Sequence, residues 1–358
     1  MRKYKAALIG YYGFKNLGDE LLLKASLEML MRAGIKPSEI LILSNSPSGT
    51  SEPKAISRWS VSNLIKAFIN CERLIFGGGG IFQDSTSVKS CIWYWAVIKL
   101  AKILGVKVYA IGQSIGPLDT FTGKLFAANA LKDLKILHVR DEPSLIYAKK
   151  FKLNNIIPGS DLALSLDLNF NANAIVKELE KDYPPLIPPL QGGVLILPCK
   201  GRCHEVTEGF KLSKCFYYNA NAQDYILLNL RPHKELDKFI EQAKNILKNF
   251  NLKIIGAAFS PEDFDLLSEL KSINIFKLYK FYDVCDLAEL IKLFQGAEFA
   301  VGMRLHFNII AFMLNIKCYA LCYDPKVKAF SDFAELNNSQ DVIIKAQSEL
   351  DKICKILF

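Results

Sequence analysis

The sequence predicts an α/β protein of two domains, each built around a parallel sheet. Its 358 residues are enough for two domains of ordinary size. Apolar, strand-like runs alternate with helical segments through about residue 170, which is typical of a doubly wound parallel sheet. Four prolines within Asp182–Leu190 then indicate a linker, because proline continues neither a helix nor a central strand. A second alternation of strands and helices follows.

These observations predict the domain organisation. We expect a first domain over residues 1–180, a linker over 181–191, a second domain over 192–335 with an irregular insertion at 199–223, and a terminal helix over 336–358. The terminal helix could cross back to the first domain. We find no internal repeat or low-complexity tract.

Composition excludes several classes of protein. Hydrophobic residues make up 51% and charged residues 23%, as in a globular rather than a disordered chain. No uncharged apolar run reaches about 18 residues, so we do not expect a membrane-spanning helix. The net charge of +9 comes from scattered lysines, which argues against a nucleic-acid groove and suits acidic metabolites or an anionic membrane surface. Nine cysteines, mostly inside apolar runs, indicate reduced thiols in a cytoplasmic protein.

The first predicted strand, Tyr4–Ile9, leads into a glycine-rich turn and a helix over residues 21–33. Asp19 is the expected N-cap of that helix. The turn lacks the G-x-G-x-x-G spacing of a dinucleotide-binding loop. Two interpretations stay open: a purely structural turn, or a wall of a ligand cleft into which Asn16, Gly18 and Asp19 project.

A second strand is predicted at residues 40–44, a helix at 60–70 and a third strand at 73–76. Four consecutive glycines follow this third strand. Such a run leaves backbone N–H groups free to face a ligand, above a floor without side chains. No Lys-Ser/Thr follows, so the run is not a P-loop. We expect a cleft loop rather than a merely structural turn. Its residues are Gly77, Gly78, Gly79, Gly80, Gln83 and Asp84.

The rest of the first domain repeats this pattern. A helix at 91–104 precedes a strand at 107–111, whose exit carries Gln113. We predict the aromatic residues 93–95 of that helix to be core residues rather than a sugar-binding platform. A fifth strand ends in Arg140 and a sixth strand exit follows it.

The second domain also alternates. Strands are predicted at residues 193–198, 225–230, 253–259 and 277–282, with helices at 233–250, from 260, and at 287–295. The 225–230 strand ends at Arg231. Cys199, Cys203, His204 and Cys215 in the insertion could hold zinc, but their spacing is not that of a zinc ribbon, and we predict no metal site.

Three nitrogen-bearing side chains stand out near the end of the second domain. Arg304 and His306 fall where a strand gives way to a helix, and Lys326 lies just past the next strand. Open α/β sheets bind ligands at that edge. Two cations and an imidazole suit a small, multiply charged anion that must also give or receive a proton. The alternative is an arginine paired with a carboxylate and a histidine satisfied by the backbone.

Seven motifs occur in order along the chain, each weak alone. They are Gly13–Asp19, Gly77–Asp84, Gly112–Pro117, Val139–Ser144, Ser160–Ala163, Met303–His306 and Tyr323–Lys326. Together they resemble the polysaccharide pyruvyl transferase family, in its CsaB-like branch, from the first strand to about Ala334. The insertion at 199–223 departs from the family pattern, and this bears on the acceptor more than on the donor.

The resemblance implies a GT-B-like fold, in which two Rossmann-like domains face each other across a cleft. It also implies transfer of the pyruvyl group of phosphoenolpyruvate to a sugar of a cell-wall polymer or exopolysaccharide precursor. The product is a pyruvate ketal, and phosphate is released. The acceptor sugar is often lipid-linked, so peripheral contact with the inner membrane face is one expectation. Phosphoenolpyruvate acts as a co-substrate, and the resemblance implies no cofactor, no metal and no nucleic-acid partner.

The resemblance also implies roles for residues. His306, Lys326 and Arg140 match family positions implicated in donor use. We expect His306 to be the general acid, because a nearby anion would raise its pKa. Lys326 would neutralise the departing phosphate, and Asp19 is the candidate to accept a hydroxyl proton. Further donor ligands are Arg304, Leu305 and Arg231, while the glycine loops with Asn16, Gln83, Asp84 and Gln113 belong to the acceptor side.

Two rival functions remain open. One is a nucleotide-sugar-dependent glycosyltransferase of the same fold, which needs a carboxylate to bind the ribose. Glu262 or Asp263 could serve in that role. The other is a non-catalytic protein that binds an anionic metabolite.

Overall fold

The computed structural model describes residues 2–47, 53–85, 87–168, 225–282 and 287–358. Within them, two parallel sheets are each covered by helices, which confirms the predicted α/β class with two domains. The predicted linker, the strand at 193–198 and the insertion with its cysteine and histidine residues lie outside the described residues.

The first domain contains a parallel sheet of seven strands in the described part of the chain. They are β1 Tyr4–Ile9, β2 Ile40–Ser44, β3 Lys54–Ser57, β4 Cys71–Phe82, β5 Lys107–Ile115, β6 Ile136–Val139 and β7 Ile156–Pro158. The order is β3-β2-β1-β4-β5-β6-β7. Strands are therefore added toward one edge of the sheet before β4 and toward the other edge from β4 onward. Ligands bind at such a switch point, beside the carboxyl ends of the strands.

Helices cover both faces of this sheet because successive strand residues are apolar and point to opposite faces. The helices are α1 Leu17–Arg32, α2 Val61–Asn70, α3 Val88–Ile103, α4 Phe121–Lys132 and α5 Glu142–Lys150. Ala7 and Ile9 of β1 face the core that contains α2, α3 and α4, whereas Ala6 and Leu8 face α1. The aromatic residues of α3 pack in or against the first of these cores, as predicted.

The second domain contains a parallel sheet of five strands among the described residues. They are β8 Tyr225–Asn229, β9 Lys253–Ala258, β10 Ile275–Lys280, β11 Phe299–Gly302 and β12 Cys318–Ala320, in the order β10-β9-β8-β11-β12. Its helices are α6 Leu236–Leu247, α7 Pro261–Glu269, α8 Leu287–Gln295, α9 Leu305–Met313 and α10 Pro325–Leu336. The switch point lies between β8 and β11. Arg231 and Arg304 follow those two strands.

The terminal helix α11, Ser339–Leu357, lies against the first domain. Cys354 donates a weak hydrogen bond to the carbonyl oxygen of Met29 in α1, and Arg73 of β4 donates to the carbonyl oxygen of Leu357 at 2.6 Å. No helix in the described ranges combines the length and apolar character needed to cross a bilayer.

Two strands differ from the prediction. No strand was predicted at β3, whose residues are half-exposed and only weakly apolar, as is common for an edge strand. β4 continues through the four glycines to Phe82 rather than ending at Phe76. Its pairing with β5 continues at Gly77 and Gly79, so the glycines are a strand with an irregular register and not a free loop.

Candidate functional site

The turn after β1 enters α1 earlier than predicted. Asn16, not Asp19, is the N-cap, and its side-chain oxygen accepts a hydrogen bond from Gly18 N at 3.2 Å. Asp19 instead lies in the first turn, where the helix dipole also favours a carboxylate. The amide of Leu17 donates to the carbonyl oxygen of Phe259 in the second domain at 2.9 Å. The start of α1 therefore lies at the contact between the domains.

His306 meets the first domain at this point. It is the second residue of α9, and a Cβ at Gly18 would overlap its Nδ1 atom, so the contact requires glycine. The Nε2 atom is buried and has no hydrogen-bond partner among the described residues. It lies 3.8 Å from Asp161 Oδ2. Because it also lies beside Asp161 and Arg140, this buried nitrogen is a candidate to receive a ligand or a proton.

Asp161 joins His306 to Arg140. The Arg140 side chain is only 4% exposed, and its Nη1 donates to Asp161 Oδ2 while its Nε donates to Ser114 Oγ at 2.6 Å. Burial alone would raise the pKa of Asp161, but Arg140 and His306 hold this pKa below its ordinary value. The sequence analysis included Asp161 only within a motif. Its position directly after a strand exit was the available signal.

His306 is neutral at pH 7 in the unliganded protein. Burial lowers its pKa to about 4, and the charges of Arg140, Lys326 and Arg304 act in the same direction, although Asp161 opposes them. The expectation from the sequence is that a bound anion keeps the imidazole charged near pH 7, whereas burial shifts the pKa in the opposite direction. The sequence could not show it, because the effect comes from burial between two domains.

Asp19 shows the opposite shift. Burial raises its pKa to about 7, although the charges of Arg140, Arg304 and Lys326 oppose the change. A carboxyl group that exchanges its proton near neutral pH is a candidate for acid–base catalysis. In this site Asp19 holds a proton more readily than His306 does.

The four glycines of β4 form the surface beneath these groups. Two of them have left-handed φ values, +80° at Gly78 and +99° at Gly79. A Cβ at Gly79 would lie 3.4 Å from Asp19 Oδ1, and a Cβ at Gly80 would lie 3.7 Å from Lys326 Nζ. The other two glycines, Gly77 and Gly78, face Tyr12, Ser26, Leu22 and Leu162 in the interior.

Lys326 thus extends from the second domain over the first. It is the second residue of α10, and its Nζ lies 3.4 Å from Asp324 Oδ2. Its side chain is 29% exposed, so the ammonium group stays accessible to a bound anion. The position agrees with the expected role at the donor site, which remains a proposal.

Arg304 does not present a free guanidinium group. Its Nε and Nη2 atoms donate to both carboxylate oxygens of Asp263, and Nη2 also donates to Ser260 Oγ at 2.5 Å. Asp263 is fully buried and needs a counter-charge. The expected bidentate contact between Arg304 and the donor is therefore not available here, and the alternative of a carboxylate-paired arginine is the observed one. Asp263 is likewise not free to bind a ribose.

Arg231 is less committed than Arg304. Its Nη1 donates to Tyr323 Oη at 2.8 Å, and its buried Nε has no hydrogen-bond partner among the described residues.

Leu305 is the first residue of α9, and the side chain of Arg304 at the N-cap makes no capping hydrogen bond. The first backbone N–H groups of α9 therefore remain available, as is typical of anion sites at helix N-termini.

Three residues predicted for the cleft have side chains that make local hydrogen bonds. Asp84 accepts hydrogen bonds from both the amide and the hydroxyl of Thr120, which orders the turn before α4. Gln113 is fully buried, and its Nε2 donates to the carbonyl oxygen of Phe76 between β4 and β5. Gln83 accepts from a neighbouring serine hydroxyl. These side chains satisfy local backbone and turn groups, because the strands continue further than expected.

Sequence reasoning missed an aromatic patch beside the turn after β1. Tyr11 and Phe14 stack with their ring centroids 3.9 Å apart, and Trp59 meets Phe14 edge-on. Tyr11 is 43% and Trp59 54% exposed, above the buried guanidinium group of Arg58. Burial raises the pKa of Tyr11, and the nearby carboxylate of Asp19 acts in the same direction. Tyr11 follows the predicted strand β1, which was the signal in the sequence, whereas Trp59 follows β3, which was not predicted.

Replacing Asp19 by Asn tests its unusual titration. The pKa of about 7 lies above the ordinary value of 3.8, so the folded protein binds more protons than the unfolded chain between these pH values. The contribution of Asp19 to stability is therefore present at acid pH and is lost as the pH rises toward 7. Asn cannot ionise, so Asp19→Asn should raise Tm relative to the unsubstituted protein more at pH 8 than at pH 5. Equal Tm differences at both pH values would show that Asp19 titrates normally.

Solved structures share this arrangement of two domains. A UDP-GlcNAc 2-epimerase from Methanocaldococcus jannaschii, in complex with UDP-GlcNAc and UDP, has a TM-score of 0.55 at 14% identity, covering 99% of each chain. A structure from Listeria monocytogenes assigned as a UDP-N-acetylglucosamine 2-epimerase has a TM-score of 0.51 at 9% identity, covering 99% of this chain and 91% of that chain. At these identities the likeness shows the fold alone, which is of the GT-B type.

The sequence comparison with curated proteins finds no match. The family model described as polysaccharide pyruvyl transferase matches residues 16–325. This range runs from the N-cap of α1 to the start of α10 and includes eleven of the twelve described strands, together with Asp19, Arg140, Asp161, Arg304 and His306. The chain therefore belongs to the polysaccharide pyruvyl transferase family.

Proposed function

We propose that the protein transfers the pyruvyl group of phosphoenolpyruvate to a sugar of a cell-wall polymer or exopolysaccharide precursor. The reaction forms a pyruvate ketal and releases phosphate. One observation carries this proposal. His306, with a buried nitrogen that lacks a partner, lies at the contact between the two domains beside Asp161 and Arg140, and Asp19 and Lys326 share the same electrostatic surroundings.

The donor carries a carboxylate and a phosphate, so several cations must hold it. Lys326 and Arg231 are the proposed direct contacts, because neither is consumed by a bidentate carboxylate pair in the described structure. Arg140 and Arg304 add positive potential while remaining paired with Asp161 and Asp263. Since His306 Nε2 is enclosed between the domains, the donor reaches it only when they separate.

Ketal formation needs one group that gives a proton to the methylene carbon and one that accepts a proton from a sugar hydroxyl. The two pKa values, about 7 for Asp19 and about 4 for His306, assign the first role to Asp19 and the second to His306. A bound anion raises both values, which keeps Asp19 protonated at neutral pH. This proposal reverses the roles expected from the sequence.

The sequence of bonds follows from that assignment. Protonation of the methylene carbon makes the neighbouring carbon electrophilic, and a sugar hydroxyl attacks it while His306 takes the hydroxyl proton. The phosphate then leaves with its bonding electrons, and its charge is neutralised by Lys326. A second hydroxyl of the same sugar bonds to that carbon, and its proton leaves with the phosphate. The ketal is then complete.

The aromatic patch is the proposed acceptor side. Exposed aromatic rings offer apolar faces on which a sugar ring can stack, with hydrogen-bonding groups at the rim. Tyr11 lies close enough to Asp19 for each to affect the other electrostatically, so a sugar on this patch would be near the proposed acid. Trp59 extends the surface away from the cleft.

The rival glycosyltransferase function has one observation in its favour. Glu262 is exposed at the start of α7, and its pKa is lowered by a hydrogen bond with Ser260, with Arg304 and Arg231 acting in the same direction. An ionised carboxylate at this edge could bind a ribose. A protein that only binds an anion has no need of an acid–base pair with opposed pKa shifts, so that alternative is the weaker one.

Heat protection and product mass together test the function. Phosphoenolpyruvate at about 100 times its Kd should stabilise the protein by about 2.7 kcal/mol, whereas UDP-sugars should not. Incubation with phosphoenolpyruvate and candidate oligosaccharides should give the mass of the ketal. Trp59→Ala should lower the yield of ketal and leave donor protection unchanged. Protection by UDP-sugars without ketal formation would establish the glycosyltransferase instead.

A further inference from the structure

One outer surface of the first domain combines exposed apolar side chains with a mainly positive charge. We define the α2–α4 face as the solvent side of these three neighbouring helices. Its large exposed apolar residues are Val61, Ile65 and Ile69 of α2, Ile92 and Ile103 of α3, and Phe121 and Leu125 of α4. Ile103 and Phe121 are each 81% exposed. Exposed apolar groups of this kind mark interaction surfaces.

The spacing of these residues places them in stripes. Val61, Ile65 and Ile69 recur every four residues, which puts them on one side of α2. Phe121 and Leu125 have the same spacing in α4. The buried sides of the same helices face the sheet through other residues, so the stripes are not part of the core.

The charge on this face is mainly positive, although Asp133 at the end of α4 pairs with Lys99 and Lys102. Helices α2, α3 and α4 contain no Asp or Glu in their sequences. Their lysines are Lys66, Lys89, Lys99, Lys102, Lys124 and Lys132. On the opposite side of the sheet, acidic and basic residues of α1 and α11 nearly balance: Asp19, Glu20, Glu28, Asp341, Glu349 and Asp351 against Lys24, Arg32, Lys345, Lys352 and Lys355. The two sides of the first domain therefore differ in charge.

We infer that the α2–α4 face docks onto the surface of an anionic lipid bilayer. Lysines near such a surface each contribute about 1 kcal/mol of attraction, and apolar side chains beside them bury in the headgroup region. Two copies of the protein are not expected to associate through this face, because lysines would lie opposite lysines.

The fold also determines where the cleft lies relative to this face. In a parallel sheet, each of these helices begins at the carboxyl edge, where the turn with Asp19 lies.

Docking would therefore lay the carboxyl edge of the sheet, with the cleft, alongside the membrane surface. This last step rests on the proposed function, because only a lipid-linked sugar acceptor would benefit from it. Membrane docking itself does not depend on the reaction, so an experiment can contradict the docking without contradicting the proposed function, and the reverse.

Vesicle flotation tests the docking. The protein should float with vesicles of phosphatidylcholine plus phosphatidylglycerol, less so at high salt, and not with phosphatidylcholine alone. Lys66→Glu/Lys89→Glu should weaken this binding at least about tenfold. The matched control, Lys345→Glu/Lys352→Glu on the exposed side of α11, should bind as the unsubstituted protein does. Val61→Ser/Ile69→Ser should weaken binding and leave its salt dependence in place.

Three outcomes would overturn the inference. They are absence of binding to anionic vesicles at low salt, equal loss of binding in the α11 control, and an oligomer in solution that the α2–α4 variants dissociate. Unchanged Tm values establish that the variants are folded. Turnover with a soluble oligosaccharide should be unchanged in Lys66→Glu/Lys89→Glu, which separates a failure of docking from a failure of the proposed function.

Discussion

His306→Gln is expected to lower the turnover of pyruvyl transfer by about 10²–10⁴-fold while phosphoenolpyruvate still binds. The amide of Gln can occupy the space between Gly18 and Asp161, but it cannot accept a proton at neutral pH. Because His306 is neutral before the donor arrives, its removal takes away a base and not a positive charge that holds the donor. The effect should therefore appear in kcat more than in donor affinity.

The matched control is His138→Gln. His138 is also a buried imidazole whose pKa burial lowers to about 4, but its Nδ1 accepts a hydrogen bond from Gly112 N inside the first domain. This variant should lose stability rather than turnover. Steady-state kinetics and thermal unfolding of both variants separate the roles. Unchanged turnover in His306→Gln would remove it from the reaction.

The pH profile of the same reaction separates the two proposed proton carriers. In the free protein, kcat/KM should fall below about pH 4 as His306 gains a proton and above about pH 7 as Asp19 loses one. The residual activity of Asp19→Asn should lack the alkaline limb. If the acidic limb disappears instead, the assignment from the sequence, with His306 as acid, is the correct one.

Asp161→Asn is expected to lower the free energy of unfolding by about 3–5 kcal/mol. Asp161 and Arg140 are both almost fully buried, so removal of the carboxylate leaves an arginine charge without its main counter-charge. Burial prevents water from replacing the lost contact. The amide has nearly the same shape as the carboxylate, so the substitution creates no cavity. The lower free energy of unfolding then measures the lost charge and hydrogen bonding.

Asp332→Asn is the matched control for this change. Asp332 pairs with Lys328 on the surface of α10, where both side chains are more than half exposed. Solvent screens this pair, so its loss should change the free energy of unfolding very little. Urea unfolding of the two variants measures the difference. Similar small losses would mean that Asp161 is not an essential counter-charge at the domain contact.

The site shows which features a sequence can and cannot reveal. His306 and Lys326 were predicted from their positions after strands, and both lie at the domain contact. Arg304 met the same criterion, yet its guanidinium group is occupied by Asp263, which is 41 residues away in the chain. Position after a strand places a side chain at the correct edge, but it does not show whether another buried group already uses its charge.

The sequence by itself determined the two parallel sheets, the edge at which the polar residues gather and the family of the chain. These features follow from local periodicity, strand exits and the order of motifs. Only the tertiary structure decided that Asn16 caps α1, that Arg304 is paired, and that His306 is neutral while Asp19 titrates near pH 7. Pairing and burial depend on which distant residues meet across the two domains, and neither is encoded in a short stretch of sequence.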